Sequence, residues 1–337
     1  MPVPPHPVPL LAVADLAIAI AAAGGGRPTP IVADLSFTLG RGETLGIVGE
    51  SGSGKSLVSL AIMGLLPPAA RASGRIALDG RDLLGLDDDA LCEVRGRRIG
   101  MIFQEPMTAL NPAMRVGDQI AEGLIRHGVA GRRAARDCAV DLLDRVRIPD
   151  ARRRADAYPH ELSGGQRQRV GIAIALALEP DLIIADEPTT ALDVTVQAEI
   201  LDILADLVAT SRMSLILISH DLGVVARAAA RTIVMYAGTR MEAGPTADVL
   251  HRPLNPYTRG LLAAMPRRRA ADAGRLATIA GTVPAFDALP PGCRFAGRCA
   301  DRIAACDAAE PVWRDVAGAG GRGVRCLRAG ETAEEGP

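Results

Sequence analysis

The sequence predicts an α/β fold: a mostly parallel sheet covered by helices on both faces, with a helical subdomain and a small cysteine-containing C-terminal accessory domain. Three observations predict it. Apolar runs of strand length at 182–185, 215–218 and 232–236 are separated by helical segments such as 195–209, the alternation expected of a parallel sheet. The short apolar stretch 43–48 runs into the loop Gly49-Glu50-Ser51-Gly52-Ser53-Gly54-Lys55-Ser56 and then into an apolar helix over 57–66, closed by Pro67-Pro68. Between Glu105 and about Pro159 the spacing becomes helical with charged faces, as of an insertion between strands.

In chain order, residues 10–13 and 31–39 read as two strands joined by the glycine-rich loop 22–30. Gly40-Arg41-Gly42 turns the chain into the strand before the glycine loop. Residues 75–78 followed by Asp79-Gly80 read as a strand and tight turn. Residues 99–103 read as a short strand ending at Gln104, and 116–125 and 132–146 as helices. Past Leu250 the pattern breaks into Pro, Gly, Arg and Cys, which places a boundary there. The expected organisation is a core domain over 8–250, its helical subdomain at about 105–180, a C-terminal domain over 251–328 and a disordered tail over 329–337.

Composition narrows the function. A formal net charge of −1 argues against a general nucleic-acid surface. Residues 1–9 lack the basic start of a secretory signal, and the apolar run 10–23 is broken by Asp15 and too short to span a bilayer. The expectation is a soluble protein whose membrane role comes through partners. Six cysteines in 337 residues do not suggest a secreted disulfide scaffold. Cys92 and Cys138 fall in helical patterns and read as packing residues.

The glycine loop fits G-x-x-x-x-G-K-[ST] in the strand–loop–helix setting that the motif requires. Gly49, Gly52 and Gly54 let the backbone turn so that N–H groups converge on one anion, and the following helix adds its positive end. Lys55 can reach the β- and γ-phosphates, and the Ser56 hydroxyl can hold Mg²⁺. The chain therefore reads as a binder of a nucleoside triphosphate. Asp186 ends a buried strand and fits the second Mg²⁺ position, with Glu187 beside it to polarise a water for attack on the γ-phosphate. His220 and Gln104 also stand at strand ends, where ligands sit in such sheets. His220 can bond a γ-phosphate oxygen, and Gln104 the metal or the water.

Leu162-Ser163-Gly164-Gly165-Gln166 resembles the signature of ATP-binding-cassette (ABC) ATPases, a branch of the phosphate-loop NTPases. The phosphate loop, Gln104, this signature, Asp186-Glu187, Ala191-Leu192-Asp193 and His220 follow in that family's order. The Ser163 hydroxyl and the Gly164-Gly165 backbone, at the start of a helix over 166–178, offer a second anion site, and a second site needs a second phosphate. The resemblance implies two cassettes facing head to tail with ATP between them. It implies that Ser163, Gly164, Gly165 and Gln166 act on the partner's nucleotide, and that Asp193 lies at the dimer contact. It further implies that Glu187 is the general base, that His220 fixes the γ-phosphate, and that Gln104 relays to the transport partner. The family usually stacks an aromatic on adenine. Ile20 stands at that position and no Phe, Tyr or Trp precedes Phe37, so aliphatic contact is expected to hold the purine.

The segments 103–112, 158–162 and 253–262, then Pro266, resemble the oligopeptide/dipeptide/nickel importers. That implies the ATPase subunit of a peptide importer on the cytoplasmic face of the membrane, with nickel or another small solute as the alternative cargo. The implied partners are a second, homologous ATPase subunit, two transmembrane permease subunits and an extracytoplasmic substrate-binding protein, without nucleic acid. A soluble ABC ATPase of DNA repair or translation is the other class; a single cassette and the lack of a basic stripe argue against it. Cys293, Cys299, Cys306 and Cys326 could ligate a tetrahedral Zn²⁺ or a [4Fe–4S] cluster. Their spacing lacks the C-x-x-C pairs of most zinc modules, and the subfamily resemblance implies the cluster. Free thiols are the remaining reading.

Overall fold

The computed structural model describes residues 8–22, 26–104, 109–190, 192–265, 278–316 and 321–329. Residues 105–108, Ala191, Pro266 and the tail 330–337, all named above, lie outside the described residues. In chain order the strands are β1 (Leu11–Ile20), β2 (Thr29–Leu39), β3 (Thr44–Val48), β4 (Ala70–Leu78), β5 (Arg81–Asp82) and β6 (Ile99–Ile102). After them come β7 (Leu182–Asp186), β8 (Ser214–Ser219), β9 (Arg231–Tyr236), β10 (Thr239–Pro245), β11 (Arg314–Asp315) and β12 (Gly323–Val324). The chain divides into two compact units: residues 1–38, 44–84 and 219–337 in the first, 39–43 and 85–218 in the second.

The first unit holds two sheets. One has the strand order β2-β1-β4-β5. Here β1 pairs antiparallel with β4 from Leu11↔Leu78 to Ile20↔Ala70, with a register shift between Ala14 and Ala17. That bulge explains why the apolar pattern stops at Val13 while the strand continues. Leu11 and Val13 are buried before it and Leu16 and Ile18 after it, a change of phase that strict alternation cannot contain. In the other sheet β3 lies parallel to β9, and β9 and β10 form an antiparallel hairpin turning at Ala237-Gly238. The chain returns from the C-terminal region to lay β12 along β10, covering that edge. Leu45, Ile47, Val48, Ile233, Val234 and Met235 are buried, so β3 and β9 carry the centre of this core.

In the second unit β6, β7 and β8 are parallel, with Ile99↔Leu182 and Leu182↔Ser214 in register. Residues 182–185 are buried, which is why β7 reads as an unbroken apolar run. The helix Val116–Arg126 buries Val116, Ile120, Ala121 and Leu124 at helical spacing, and packs with the helices Arg132–Arg145 and Gly164–Leu176. Among the described residues, no helix is long and apolar enough to cross a membrane.

Gly238 is the tightest point of the first unit. Its N–H donates to the Ser53 carbonyl at 3.1 Å, and its carbonyl accepts from the Ala33 N–H at 2.9 Å. Its φ is +84°, and a Cβ added there would overlap the Ile31 carbonyl oxygen. Both backbone strain and overpacking therefore oppose any side chain. Gly238→Ala is expected to cost about 3 kcal/mol of stability, read as a lower urea midpoint at unchanged slope.

Candidate active site

The phosphate-loop residues of the first unit lie in the loop after β3. Gly52 and Gly54 take φ of +79° and +92°, values that a Cβ would strain. Gly54 ends the loop as the N-cap of the helix Lys55–Ile62. A Cβ on Gly49 would overlap the Met235 carbonyl oxygen of β9. Lys55 is buried, and its Nζ donates to the Gly49 and Glu50 carbonyls at 2.8 and 2.9 Å and to Ser53 Oγ at 3.3 Å. Ser51 and Gly52 lie exposed on the loop, and Ser56 is half-buried in the first helical turn. His220 stands exposed just past β8, with Asp221 capping the next helix through the Gly223 N–H at 2.7 Å.

Glu50, an unspecified position of the motif, is held most firmly. Its N–H donates to Tyr257 Oη at 2.9 Å. Its carboxylate receives both arms of the Arg298 guanidinium, at 2.6 and 2.9 Å. The hydrogen bond to Glu50 is the main reason that the Arg298 pKa is raised. Behind them Tyr236, Tyr257 and Phe295 form a buried aromatic triad with ring centroids 4.7 to 5.2 Å apart. Burial pushes the pKa values of both phenols up, so each stays protonated at neutral pH.

The second unit brings Gln104 and Glu187 together. Asp186 ends β7 with its side chain buried. Glu187 follows in the left-handed region at φ +47°, a conformation that non-glycine residues adopt at a cost. Its N–H donates to the Ile218 carbonyl at 2.9 Å. Its Oε2 accepts from Gln104 Nε2 at 3.2 Å and from Thr190 Oγ1 at 2.9 Å. Ser163 caps the helix Gly164–Leu176 in a reciprocal box, its Oγ accepting the Gln166 N–H and Gln166 Oε1 accepting the Ser163 N–H. Gly165 is needed here because a Cβ would come within 2.6 Å of Val196 Cγ1. Asp193 caps the helix Val194–Ser211 through the Val196 N–H at 2.9 Å, and Val194 beside it is 83% exposed.

Ile20 ends β1, half-buried opposite Ala70. The four C-terminal cysteines, Cys293, Cys299, Cys306 and Cys326, line one cavity of about 20 Å³. Among the described residues, no group of three or more His, Cys, Asp or Glu is arranged to hold a metal ion. Burial pushes the Cys293 thiol up to about 11 and raises Cys299 and Cys326 as well. Three residues that bond to Glu50 or Glu187 escape sequence reading. Thr190 lies close to Glu187 in the chain and offered a signal in its hydroxyl. Tyr257 and Arg298 gave none.

A phosphate loop, a strand-end carboxylate held by two donors and a capped glycine signature define a nucleoside-triphosphatase. Residues 32–190 match the family described as ABC transporter, and residues 241–306 match the oligopeptide/dipeptide transporter C-terminal region. A protein of Brucella abortus (strain 2308), named provisionally for peptide import and ATP binding, is 50% identical over 320 residues, 94% of each chain. A protein of the same description from Brucella suis biovar 1 matches equally well. Among solved structures, the dimeric ABC transporter cassette MJ0796 aligns with a TM-score of 0.63 at 29% identity, over 70% of this chain and 98% of that one. CbiO1 from Clostridium perfringens, part of an ABC transporter complex, aligns with a TM-score of 0.62 at 27% identity, over 72% of this chain and 91% of that one. This chain belongs to the ABC transporter family, as an ATPase subunit of the oligopeptide/dipeptide type.

Thr190 should carry measurable weight, because it shares Glu187 Oε2 with Gln104. Thr190→Val is expected to lower kcat about tenfold, the loss of one hydrogen bond to a charged group. The KM for ATP should stay unchanged in steady-state ATPase assays of the assembled complex.

Proposed function

We propose that this chain powers peptide uptake by pairing with a second cassette around ATP and separating from it on hydrolysis. The observation that carries this reading is the Glu187 carboxylate, fixed by Gln104 and Thr190 at the end of β7. Glu187 takes the proton of the attacking water as that water's oxygen bonds to the γ-phosphorus and the bond to ADP breaks. Lys55, the loop N–H groups of 49–56 and His220 hold the phosphates. Ser56, Asp186 and Gln104 would hold Mg²⁺. Their hydroxyl, carboxylate and amide oxygens are hard donors of the kind that ion takes, and Gln104, bonded to Glu187 through Nε2, keeps its oxygen for the metal. Bound there, Mg²⁺ would neutralise charge on the phosphate oxygens.

The capped N-terminus of the helix Gly164–Leu176 suits it to the partner's nucleotide, through Ser163, Gly164, Gly165 and Gln166. The exposed Val194 beside Asp193 suits a dimer contact. The partners in this reading are a homologous ATPase, two permease subunits and an extracytoplasmic binding protein, with this chain on the cytoplasmic face. In this reading the cassette covers 8–250 and the transporter-specific domain 251–328, and the two family matches fall over 32–190 and 241–306. Glu187→Gln is expected to lower ATP turnover by about 10² or more while ATP binding persists. Unchanged turnover in the reconstituted complex would mean that this site is idle.

The cysteines belong to the same reading as a thiolate-held centre, either [4Fe–4S] or Zn²⁺. Four sulfurs around one cavity support it, and a cation among them would oppose the upward push on Cys293, Cys299 and Cys326. Metal and acid-labile sulfide analysis of anaerobically purified complex decides. Iron with sulfide marks the cluster, zinc alone marks the ion, and neither ends the reading in favour of free thiols.

A further inference from the structure

We propose that Arg298 is a positioning residue for the phosphate loop, acting on ATP affinity through the carboxylate of Glu50. The inference rests on the reading of residues 49–56 as the ATP site.

The contact is built for one geometry. Arg298 Nη1 meets Glu50 Oε2 at 2.6 Å and Nη2 meets Oε1 at 2.9 Å, the two-armed arrangement that a guanidinium makes and an ammonium cannot. The Arg298 side chain is 7% exposed and that of Glu50 is 28% exposed. Three further bonds fix the guanidinium before Glu50 is considered. Nε donates to the Ala280 carbonyl at 2.9 Å, Nη2 to the Ile279 carbonyl at 3.3 Å, and Nη1 to Tyr236 Oη at 3.3 Å. The Tyr236 and Phe295 rings stand 5.7 and 6.0 Å from its centre. Tyr257, the third ring of that triad, accepts the Glu50 N–H. Side chain and main chain of Glu50 are thus both gripped by residues 236–298, outside the motif itself.

The loop gives this grip a purpose. Glu50 brings a negative charge to a loop whose task is to hold a triphosphate. Lys55 already lies within 2.9 Å of the Glu50 carbonyl, so an unrestrained Glu50 carboxylate is a rival for the same ammonium group. The Arg298 fork neutralises that carboxylate and holds it on the aromatic side of the loop. If Arg298 is removed, a half-buried carboxylate loses its partner beside the phosphate site.

This predicts a suppression that a simple structural tie would not produce. In the assembled transporter, Arg298→Ala should raise the KM for ATP about tenfold while kcat stays within about twofold, the signature of lost ground-state binding. Arg298→Lys, with one arm, should fall between. Glu50→Gln removes the charge that Arg298 answers. The double variant Arg298→Ala/Glu50→Gln should therefore return the KM to within about threefold of wild type. An Arg298→Ala KM within twofold of wild type overturns the proposal, as does a double variant no better than Arg298→Ala. If Arg298→Ala fails to fold, the same comparison is made with Arg298→Lys, alone and with Glu50→Gln. A wild-type complex whose turnover shows no saturation by ATP would sink the nucleotide reading itself, a result distinct from either outcome above.

Discussion

A loop that aims its N–H groups at an anion leaves its carbonyls to find donors elsewhere. Here Lys55 supplies them: its ammonium group lies inside the loop and bonds the carbonyls of Gly49 and Glu50. The loop is curled round its own lysine, and the rest of the first unit follows from keeping it so. Gly49 must be bare because the Met235 carbonyl lies against it, and Gly238 must be bare because β2 does. The Gly238 N–H then takes the Ser53 carbonyl. A backbone this closely stacked has no room for error in β3 and β9, and those strands are buried and parallel beneath it.

The parts of the site legible in the sequence are those in which chemistry sits in consecutive residues. The phosphate loop, the Leu162–Gln166 signature and Asp186-Glu187 are each local, and each lies at an element end that its own residues create. Asp193 was named only through the family resemblance, and the structure makes it the N-cap of a long helix. Length was harder to read than identity. The β1 strand runs to Ile20 although its alternation breaks at Ala14, because a bulge resets the phase. The grip on Glu50 was not legible at all. Its two charges lie 248 positions apart, and nothing in Gly292–Cys299 distinguishes Arg298 from the chain's many other arginines. The cysteines drew the eye to that segment, yet the arginine between them is the residue that reaches the phosphate loop.

The aromatic content makes the same point from composition. With four Phe, three Tyr and one Trp, the chain has few rings to place. None precedes Phe37 where the family stacks on adenine, while three form the triad behind Glu50. Aromatic rings give large buried area with few rotamers to freeze, which suits a rigid backstop. In this chain stiffness is concentrated under the phosphates rather than under the base. Recognition of the triphosphate then depends on backbone geometry that the triad preserves.

The proposed base, Glu187, takes its form from within one compact unit. The phosphate loop and its clamp belong to the first unit, while Glu187 and both its hydrogen-bond donors belong to the second. A general base must be oriented before water reaches it, since reorientation during reaction would raise the barrier. Placing Gln104 and Thr190 in the same unit as Glu187 makes that orientation local, independent of what the first unit holds. The left-handed backbone at Glu187 adds a constraint, because a residue strained at φ +47° keeps that conformation only while its surroundings impose it. The bond from its N–H to the Ile218 carbonyl of β8 is that imposition. The Glu187 carboxylate is thus set by the parallel sheet beneath it, so the apolar strands that mark the fold in the sequence also aim the proposed base.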